Sequence, residues 1–367
     1  MINTIKPLIF IEGFPPVGLL TKRLADVFGS DLKLLGTRAA VPFKGLEDYL
    51  GHPIRWLSHP DEIWDVREEY ADRNLIIHTG WCHKGWLRFD RWMRPKGAKI
   101  VVTLDNIYRA ELRQYLGAVW FRLWLRQHFD AAFVPGHGST RFMRFLGMPA
   151  DRIFPGYYGA TEQIYTPGTK VSERPKEFLF IGQLIPRKAV DVMLEGFKLY
   201  RVTGGDWNLR IMGSGAMADQ CQGDGVIFEG FGQPEYCAER MRLARCFVLI
   251  SREDHWGTVV CEAAASGTAL LTSRWVGATE DMVRPGINGL VLNNMDPVDM
   301  CKKYHAISSW DNDRLDWAGE VSKGISIGFD SKAYLLAVEG IIKELYPSLA
   351  ETAPQVRYRH EGIDDGL

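Results

Sequence analysis

Short apolar runs alternate along the chain with longer segments in which apolar residues recur at helical spacing. Runs of this length are typical of buried strands, and they predict strands at Pro7–Ile11, Leu75–His78, Ile100–Leu104, Ala131–Val134, Glu177–Ile181, Asn208–Met212, Gly225–Phe228, Cys246–Ile250 and Ala269–Thr272. The segments between them predict helices at Leu19–Phe28, Ala110–Phe129, Thr140–Leu146, Val190–Tyr200, Pro234–Ala244 and Thr258–Ser266. Strands that alternate with helices are typical of βαβ units around parallel sheets, so the pattern predicts an α/β protein.

The alternation is interrupted once, in a stretch rich in Gly, Pro, Thr and Tyr that sustains no period and is typical of a linker. Near the end, an amphipathic segment at Ser331–Tyr346 predicts a last helix, followed by a polar tail. We therefore expect a first domain at residues 1–157, a linker at 158–175, a second domain at 176–327, a final helix at 328–347 and a tail at 348–367.

The overall composition is that of an ordinary globular protein. The 367 residues suit two domains, and 44 Lys and Arg against 45 Asp and Glu give no sign of a polyanionic partner. The apolar runs are strand-sized, so neither a signal peptide nor a transmembrane helix is expected. The six cysteines include no C-x-x-C pair, and we interpret them as reduced thiols of a cytoplasmic protein.

The local charge in residues 81–126 is strongly positive. From Lys84 to Arg126 there are ten Lys and Arg against three acids, and tryptophans stand in the segment at 81, 86, 92, 120 and 124. Cations mixed with tryptophans suit a surface in peripheral contact with an anionic membrane, which would place the protein at the inner face of that membrane. In the alternative interpretation the tryptophans pack in the core and the cations are solvated. Nucleic acid is the least favoured partner for this composition.

In the second half, a strand, a glycine loop, two cations and a helix follow one another directly. Gly182 comes after the strand, and Arg187 and Lys188 come just before the helix. The start of a helix offers unpaired backbone N–H groups and a positive dipole end, and two adjacent cations could neutralise a diphosphate there. The alternative is an ordinary turn with a solvated Arg–Lys pair.

A pair of acids follows the strand Cys246–Ile250, in the segment SREDHWGTVVCEAAASG. If the next helix begins near Gly257, Glu262 lies inside the helix and Asp254 in the loop before it. A carboxylate in the helix could accept two hydrogen bonds from ribose hydroxyls, and the loop acid could bind hydroxyls of a sugar. Gly257 allows the backbone to approach a ligand where a Cβ would clash. The alternative is two solvated acids beside a core helix.

Three ordered elements of the second half resemble the donor domain of retaining glycosyltransferases of family four. The family's G-x-L-x-x-x-K element is matched by Gly182, Leu184 and Lys188, and its acid-x7-acid element is matched by Asp254 and Glu262. The segment VGATEDMVRPGINGLVL resembles a third element, with matches at Gly277, Glu280, Asn288 and Gly289. The resemblance implies an α/β protein of the GT-B fold, in which two Rossmann-like domains face each other across a cleft and the last helix crosses back to the first domain.

The resemblance also implies a role for each of these residues. Lys188 would contact the donor diphosphate with help from Arg187. Glu262 would bind the ribose hydroxyls, and Asp254, which is shorter than the glutamate usual in the family, would hold the transferred sugar. Backbone N–H groups directed at the phosphate and the sugar would come from Gly257 and Thr258.

The first half resembles the family more loosely. Gly18 matches one glycine of the loop that faces the donor, and Asp105 stands where the family often has a histidine close to the sugar. As a carboxylate, Asp105 could act as a base or orient one. His78 and His83 lie one strand earlier, where either could line the cleft or have a structural role. On the donor side, Gln183 replaces the arginine that usually follows the glycine.

The activity implied by the resemblance is transfer of a sugar from a nucleotide-diphosphate donor to a glycan or lipid-linked acceptor, with retention of configuration, in cell-envelope polysaccharide or glycoconjugate synthesis. No D-x-D dyad lies in a suitable loop, so we expect neither a metal nor a cofactor besides the donor. Two alternatives stay open: a nucleotide-sugar epimerase of the same architecture, and a non-catalytic nucleotide-sugar-binding protein. A dehydrogenase is disfavoured because no G-x-G-x-x-G follows the first strand.

Overall fold

Two parallel β-sheets form the framework of the protein. The structure is a computed structural model that describes residues 4–11, 15–37, 43–79 and 81–350. The first sheet contains β1 (Pro7–Phe10), β2 (Lys33–Thr37), β3 (Ile54–Leu57), β4 (Leu75–Thr79), β5 (Lys99–Thr103), β6 (Ala131–Val134) and β7 (Ile153–Pro155). The second sheet contains β8 (Glu177–Ile181), β9 (Asn208–Met212), β10 (Val226–Gly230), β11 (Cys246–Leu249), β12 (Ala269–Ser273) and β13 (Gly289–Leu292).

Both sheets have the strand order of a doubly wound, Rossmann-like domain. The order is β3-β2-β1-β4-β5-β6-β7 in the first and β10-β9-β8-β11-β12-β13 in the second, and the strands pair in parallel. Central strands are buried on both faces because helices cover both sides of each sheet, which explains their continuous apolar runs. The predicted α/β class with two Rossmann-like domains is confirmed.

The predicted strands are all present, with small shifts at their ends. The apolar pattern does not predict β2, β3, β7 or β13. Three of these lie at sheet edges, and β7 has only three residues. In β2 the large apolar residues are limited to Leu34 and Leu35. Short or edge strands lack the long apolar run of a central strand, so the pattern detects them poorly.

Helices cover the faces of the two sheets. They are α1 (Pro15–Leu20), α2 (Lys22–Phe28), α3 (Leu46–Leu50), α4 (Lys84–Met93), α5 (Leu112–Trp120), α6 (His137–Leu146), α7 (Val190–Val202), α8 (Pro234–Leu243), α9 (Val259–Ala265), α10 (Thr279–Met282), α11 (Pro297–Ser308), α12 (Asn312–Ser326), α13 (Ser331–Leu345) and α14 (Pro347–Ala350). Two predicted helices are interrupted. The first divides at Thr21, and the segment Ala110–Phe129 consists of α5, a π turn at Phe121–Leu125 and a 3₁₀ turn at Arg126–His128.

Helix α13 packs on the first domain although it follows the second domain in the chain. Its residues Tyr334, Val338 and Ile341 are buried in the same apolar cluster as Ile5 and Leu24. The final helix therefore joins the end of the second domain to the first. Residues 351–367, which contain most of the expected polar tail, lie outside the described residues. No helix in the described ranges is long and apolar enough to cross a membrane.

Candidate functional site

A cavity of about 510 Å³ opens between the two domains. Asp105 follows β5 in the first domain, whereas Gly182 and Asp254 follow β8 and β11 in the second, and all three line the cavity. In the second sheet the chain order reverses between the neighbouring strands β8 and β11. Ligands of doubly wound sheets bind at such a switch point, outside the carboxyl ends of the strands. The cavity therefore lies where this topology offers a site to a ligand.

Lys188 and Asp254 form an ion pair in the wall of the cavity. The Nζ atom of Lys188 donates a hydrogen bond to Oδ2 of Asp254, and only 11% of each side chain is exposed. A buried charge needs a partner, because it has lost most of its hydration. Each residue is therefore held in place by the other, with both charged groups directed at the cavity.

Arg187 joins the turn before α7 to the loop after β11. Its Nη1 atom donates to the carbonyl oxygen of Glu253 at 2.9 Å, and its own carbonyl oxygen accepts from the backbone N–H of Arg252 at 2.8 Å. Ala189 has a φ of 50° and redirects the chain from the 3₁₀ turn at Pro186–Lys188 into α7. The two cations thus lie side by side at the start of a long helix.

The loop that carries Asp254 is held by a neighbouring loop. The N–H of Asp254 donates to the carbonyl oxygen of Trp275 at 3.1 Å, and the N–H of Gly277 donates to the carbonyl oxygen of Asp254 at 3.0 Å. A Cβ at Gly277 would come within 1.9 Å of the carbonyl oxygen of His255, so this close approach requires glycine. Gly257 has a φ of 85°, which also favours glycine. These two glycines position the Asp254 carboxylate.

Glu262 extends from α9 to the cavity and is buried. Burial raises its pKa to about 7, although a hydrogen bond with the hydroxyl of Tyr165 acts in the opposite direction. Tyr165 comes from the segment between the domains, and burial together with the nearby carboxylate holds the pKa of its hydroxyl well above its usual value. Tyr165 therefore stays a donor, and near neutral pH Glu262 is present in both protonation states. When ionised, it can accept hydroxyl hydrogen bonds from a ligand.

Asp105 faces the second domain across the cleft. Its Oδ1 atom is 3.3 Å from Nδ1 of His255, and its Oδ2 atom accepts a hydrogen bond from the hydroxyl of Tyr158 at 3.5 Å. Beside it, Nη1 of Arg109 lies 2.8 Å from Oε1 of Glu253. The hydrogen bond with Asp105 raises the pKa of His255. Alternating charges from the two domains therefore meet along one part of the cleft.

A second contact between the domains lies at the start of α6. Nδ1 of His137 is 2.5 Å from Oδ1 of Asp281, and the two Nη atoms of Arg141 donate to the carboxylate of Glu280 at 2.6 and 2.5 Å. A Cβ at Gly136 would be 2.6 Å from Oδ2 of Asp281, so the backbone of the first domain approaches the second closely here. The cleft is thus bridged at the start of α6 as well, and Glu280 of the third sequence element belongs to this contact.

The structure brings most of the predicted site residues together. The cavity is lined by Asp105, Gly182, Arg187, Lys188, Asp254, Gly257, Thr258 and Glu262. Gly18 is the exception, because α1 already begins at Pro15 and places Gly18 inside a helix rather than in a loop. A Cβ there would be 2.8 Å from Cδ2 of Leu46, and Leu19 is the described residue of α1 that reaches the cavity.

Both histidines singled out in the first domain lie away from the cavity lining that the structure describes. His78 is buried, with Nε2 at 3.2 Å from Oδ2 of Asp90 and its ring stacked 4.7 Å from that of Trp86. The ring of His83 packs edge-on against His59 at 6.1 Å. His78 therefore has the structural role that was one of the two alternatives.

Several residues of the cavity carry no distinctive sequence signal. They are Tyr158, Tyr165, Ser214, Phe231 and Cys237. These residues lie in loops or in the first turns of helices, where side-chain type follows no period. The one weak signal among them is the tyrosine-rich stretch before the second domain, which contains Tyr158 and Tyr165. His255, which meets Asp105 beside the cavity, could have been suggested by its place between Asp254 and Glu262.

Comparison with known proteins connects the second half of the chain with glycosyltransferases. Residues 163–319 match the family of glycosyl transferases group 1. The lipopolysaccharide 1,6-galactosyltransferase of Salmonella typhimurium is 26% identical over 260 residues, which cover 62% of this chain and 71% of that protein. The D-inositol 3-phosphate glycosyltransferase of Nocardia farcinica is 26% identical over 347 residues, which cover 85% of this chain and 75% of that protein. Membership of family four stays a prediction.

Solved structures share the fold over more than nine tenths of the chain. The HepE protein of Anabaena, solved in complex with UDP and glucose, has a TM-score of 0.70 at 14% identity and covers 95% of this chain and 99% of its own. The lipopolysaccharide outer core galactosyltransferase WaaB has a TM-score of 0.65 at 15% identity and covers 93% of this chain and 99% of its own. The likeness shows the GT-B fold, as expected from the sequence.

Proposed function

We propose that this chain, whose residues 163–319 match group 1 glycosyl transferases, transfers a hexose from a nucleotide-diphosphate donor to a glycan or lipid-linked acceptor. The observation that carries the proposal is the convergence of Lys188, Asp254 and Glu262 on one cavity between two domains. Glycosyltransferase activity is supported by the family match and by the two relatives.

The donor would occupy the side of the cavity that the second domain forms. In this arrangement the ribose hydroxyls donate to ionised Glu262, and hydroxyls of the transferred sugar donate to Asp254. The diphosphate lies against Lys188 and Arg187, and backbone N–H groups of the loop 257–258 complete its surroundings. We propose a uridine nucleotide because HepE, which shares the fold, was solved with UDP and glucose.

Departure of the nucleoside diphosphate is the step that these charges assist. As the bond from the anomeric carbon to the diphosphate oxygen breaks, negative charge develops on that oxygen, and Lys188 and Arg187 stabilise it. Lys188 is already positioned by Asp254, so little reorganisation is needed. Because these two cations can neutralise the diphosphate themselves, we propose that the reaction needs no metal.

The acceptor would enter from the side of the first domain, where Asp105 lines the cavity. Held by His255 and Tyr158, its carboxylate can accept a hydrogen bond from an acceptor hydroxyl and orient that hydroxyl toward the sugar. Attack on the face that the diphosphate leaves would retain the anomeric configuration. The bridged cleft would exclude water from the reacting atoms.

A direct test measures product formation by the purified chain. Nucleotide sugars of UDP, GDP and dTDP are first screened by thermal shift, because a true donor raises the melting temperature by mass action. The stabilising donor is then incubated with glycan and lipid-linked acceptors, with and without EDTA, and the anomeric configuration of the product is read by NMR. We expect an acceptor-dependent glycoside, unaffected by EDTA. Conversion of the donor alone would instead indicate an epimerase, and binding without turnover would indicate a binding protein.

A matched pair of lysine variants ties the activity to the site. Lys188→Ala removes one cation of the cavity, whereas Lys198→Ala removes an exposed cation from α7, the helix that follows Lys188 in the chain. We expect loss of transfer in the first variant and wild-type transfer in the second. Full activity of Lys188→Ala would contradict the proposal.

We further propose that the reaction takes place in the cytoplasm, at the inner face of the membrane, in synthesis of a cell-envelope glycan. The support is the relative from Salmonella typhimurium, which acts on lipopolysaccharide by its name. Deletion of the gene in the source organism should shorten or remove one class of envelope glycan, and an unchanged glycan profile would contradict this placement.

A further inference from the structure

Helix α5 and the π turn that continues it are apolar on two opposite sides. On the inner side, Ala118, Phe121 and Leu125 are buried in the core of the first domain. On the outer side, side chains between 46% and 75% exposed form a row that we call the outer stripe, consisting of Leu112, Leu116, Val119, Trp120, Leu123 and Trp124. A surface helix normally has a polar outer side, and a large exposed apolar patch marks an interaction site.

Within the segment from Lys84 to Arg126, the fold buries or pairs the acidic groups. The segment from Lys84 to Arg126 has three acids. Asp90 is fully buried against His78, and Asp105 is turned into the cleft toward His255. Glu111 remains nearer the surface, and its carboxylate is paired with Arg113 at 2.5 Å. The negative charge of this segment is therefore neutralised or hidden.

Cations stay exposed on the same face of the first sheet. Helices α4 and α5 are consecutive crossovers on one face of the first sheet, since Trp86 of α4 and Phe121 of the π turn are buried in one cluster. The exposed cations on α4 and the π turn are Lys84, Arg88, Arg91 and Arg122, whereas the charge of Arg113 on α5 is neutralised by Glu111. The apolar stripe is thus accompanied by a positive surface.

We propose that the outer stripe docks on an anionic phospholipid bilayer, with Trp120 and Trp124 in the interface and the cations of α4 and the π turn against lipid phosphates. Charge complementarity selects this occupant. A second copy of the chain on the same stripe would place positive surfaces against each other. The structure also narrows the membrane surface expected over residues 81–126, because Trp81, Trp86 and Trp92 pack in or against the core.

The outer stripe lies close in the chain to a residue of the cavity. This placement connects membrane docking with sugar transfer, and the connection rests on the proposed function. Asp105 lines the cavity at the end of β5, and α5 begins at Leu112, a few residues later. A membrane on the outer stripe would therefore lie near the mouth of the cavity. A lipid-linked acceptor could then reach the donor without leaving the bilayer.

Vesicle flotation of the full chain tests the docking. The probes are vesicles of phosphatidylcholine alone and of phosphatidylcholine mixed with phosphatidylglycerol. The apolar variant is Trp120→Ala with Trp124→Ala, and the matched control is Trp317→Ala, which removes a tryptophan that is 63% exposed on α12. We expect the wild-type chain and the control to float with the anionic vesicles, and the double variant to lose at least about tenfold in bound fraction.

A charge variant, Lys84→Glu with Arg91→Glu, tests the electrostatic part. Each Lys or Arg near an anionic surface is expected to contribute about a fivefold change in partition, so this variant should lose its preference for anionic vesicles, as should the wild type at high salt. Equal flotation of the wild type and Trp120→Ala with Trp124→Ala, or no flotation at all, overturns the proposal. A dimer in ultracentrifugation that Leu116→Glu dissociates, without vesicle binding, would assign the stripe to self-association instead.

Binding of UDP, measured by calorimetry on the same proteins without vesicles, distinguishes a failure of the membrane docking from a failure of the proposed function. The stripe variants are expected to bind UDP like the wild type. If the wild type floats with anionic vesicles but binds no nucleotide, the proposed function fails and the docking stands.

Discussion

The buried carboxyl group of Glu262 makes the stability of the protein depend on pH. In Glu262→Gln the side chain keeps its size and can still accept a hydrogen bond from Tyr165, but it cannot ionise. Burial raises the pKa of Glu262 from 4.5 to about 7, so the folded protein binds this proton more tightly than the unfolded chain does. A shift of this size corresponds to about 3 kcal/mol of free energy of unfolding.

Because the pKa of Glu262 is raised in the folded state, its contribution to the free energy of unfolding falls as the pH rises. The contribution is fully present below the unfolded-state pKa and is lost as the pH rises through the folded-state pKa of about 7. Between pH of about 5 and about 8, the wild type should therefore lose about 2–3 kcal/mol of unfolding free energy relative to Glu262→Gln. The variant should be the more stable protein at the higher pH.

Binding of the donor should lower the pKa of Glu262, whereas burial raises it. Ribose hydroxyls that donate to Glu262 favour its ionised form, so UDP binding near neutral pH should release part of a proton. A hydrogen bond to a charged group contributes about 1.5–3 kcal/mol, and Glu262→Gln should therefore bind UDP roughly tenfold to a hundredfold more weakly. The variant is expected to gain stability and lose affinity.

Two measurements check these expectations. Urea unfolding of the wild type and Glu262→Gln at both pH values gives the difference in free energy, with Glu195→Gln, an exposed change on α7, as control. Calorimetry of UDP binding in buffers of different ionisation enthalpy gives the proton release, and the variant corrects for protons exchanged by UDP itself. The same pH dependence of stability in both proteins, or equal proton release by both proteins on UDP binding, would refute the reasoning.

Three further changes probe the surroundings of the cavity. Lys188→Ala leaves the carboxylate of Asp254 buried without its partner and should lower the free energy of unfolding by about 3–5 kcal/mol in urea titration, whereas adding Asp254→Ala should recover much of the loss. Gly257→Ala places a Cβ on a residue with a φ of 85° and should cost about 1–2 kcal/mol, measured in the same way. Asp105 raises the pKa of His255 in the folded protein. The contribution of this ion pair to stability is therefore present below the unfolded-state pKa of His255 and is lost as the pH rises through the folded-state pKa. The melting temperature of His255→Asn should accordingly vary less with pH than that of the wild type.

The sequence predicts the site best where one segment contains both an apolar strand and the charged residues that follow it. The strand before Gly182 and the cations Arg187 and Lys188 are contiguous, so their relative placement follows from local geometry. The same holds for Asp254 and Glu262, which the loop and first turns of α9 separate. Their convergence in one cavity needed only one further rule, that the carboxyl ends of neighbouring parallel strands meet at one edge of a sheet.

The sequence was least informative where a side chain is paired with a distant one. Gly18 was expected in a loop, but the helix that begins at Pro15 includes it, because proline is well accommodated in a first helical turn. The spacing of residues along the chain does not indicate that Tyr165 forms a hydrogen bond with Glu262, or that His255 contacts Asp105 from the facing domain. Such contacts depend on how the two domains are oriented.

The chain's own pattern of apolar runs and helical periods determined the two α/β domains and the segments that carry the charged residues. That information is local, since burial of a strand or of one helix face is encoded in consecutive residues. The tertiary structure alone decided which tryptophans are exposed, because Trp86 and Trp120 have similar sequence surroundings and opposite burial. It also decided that Glu262 has a pKa of about 7 and that the cleft is bridged, since both result from groups brought together across long separations in the chain.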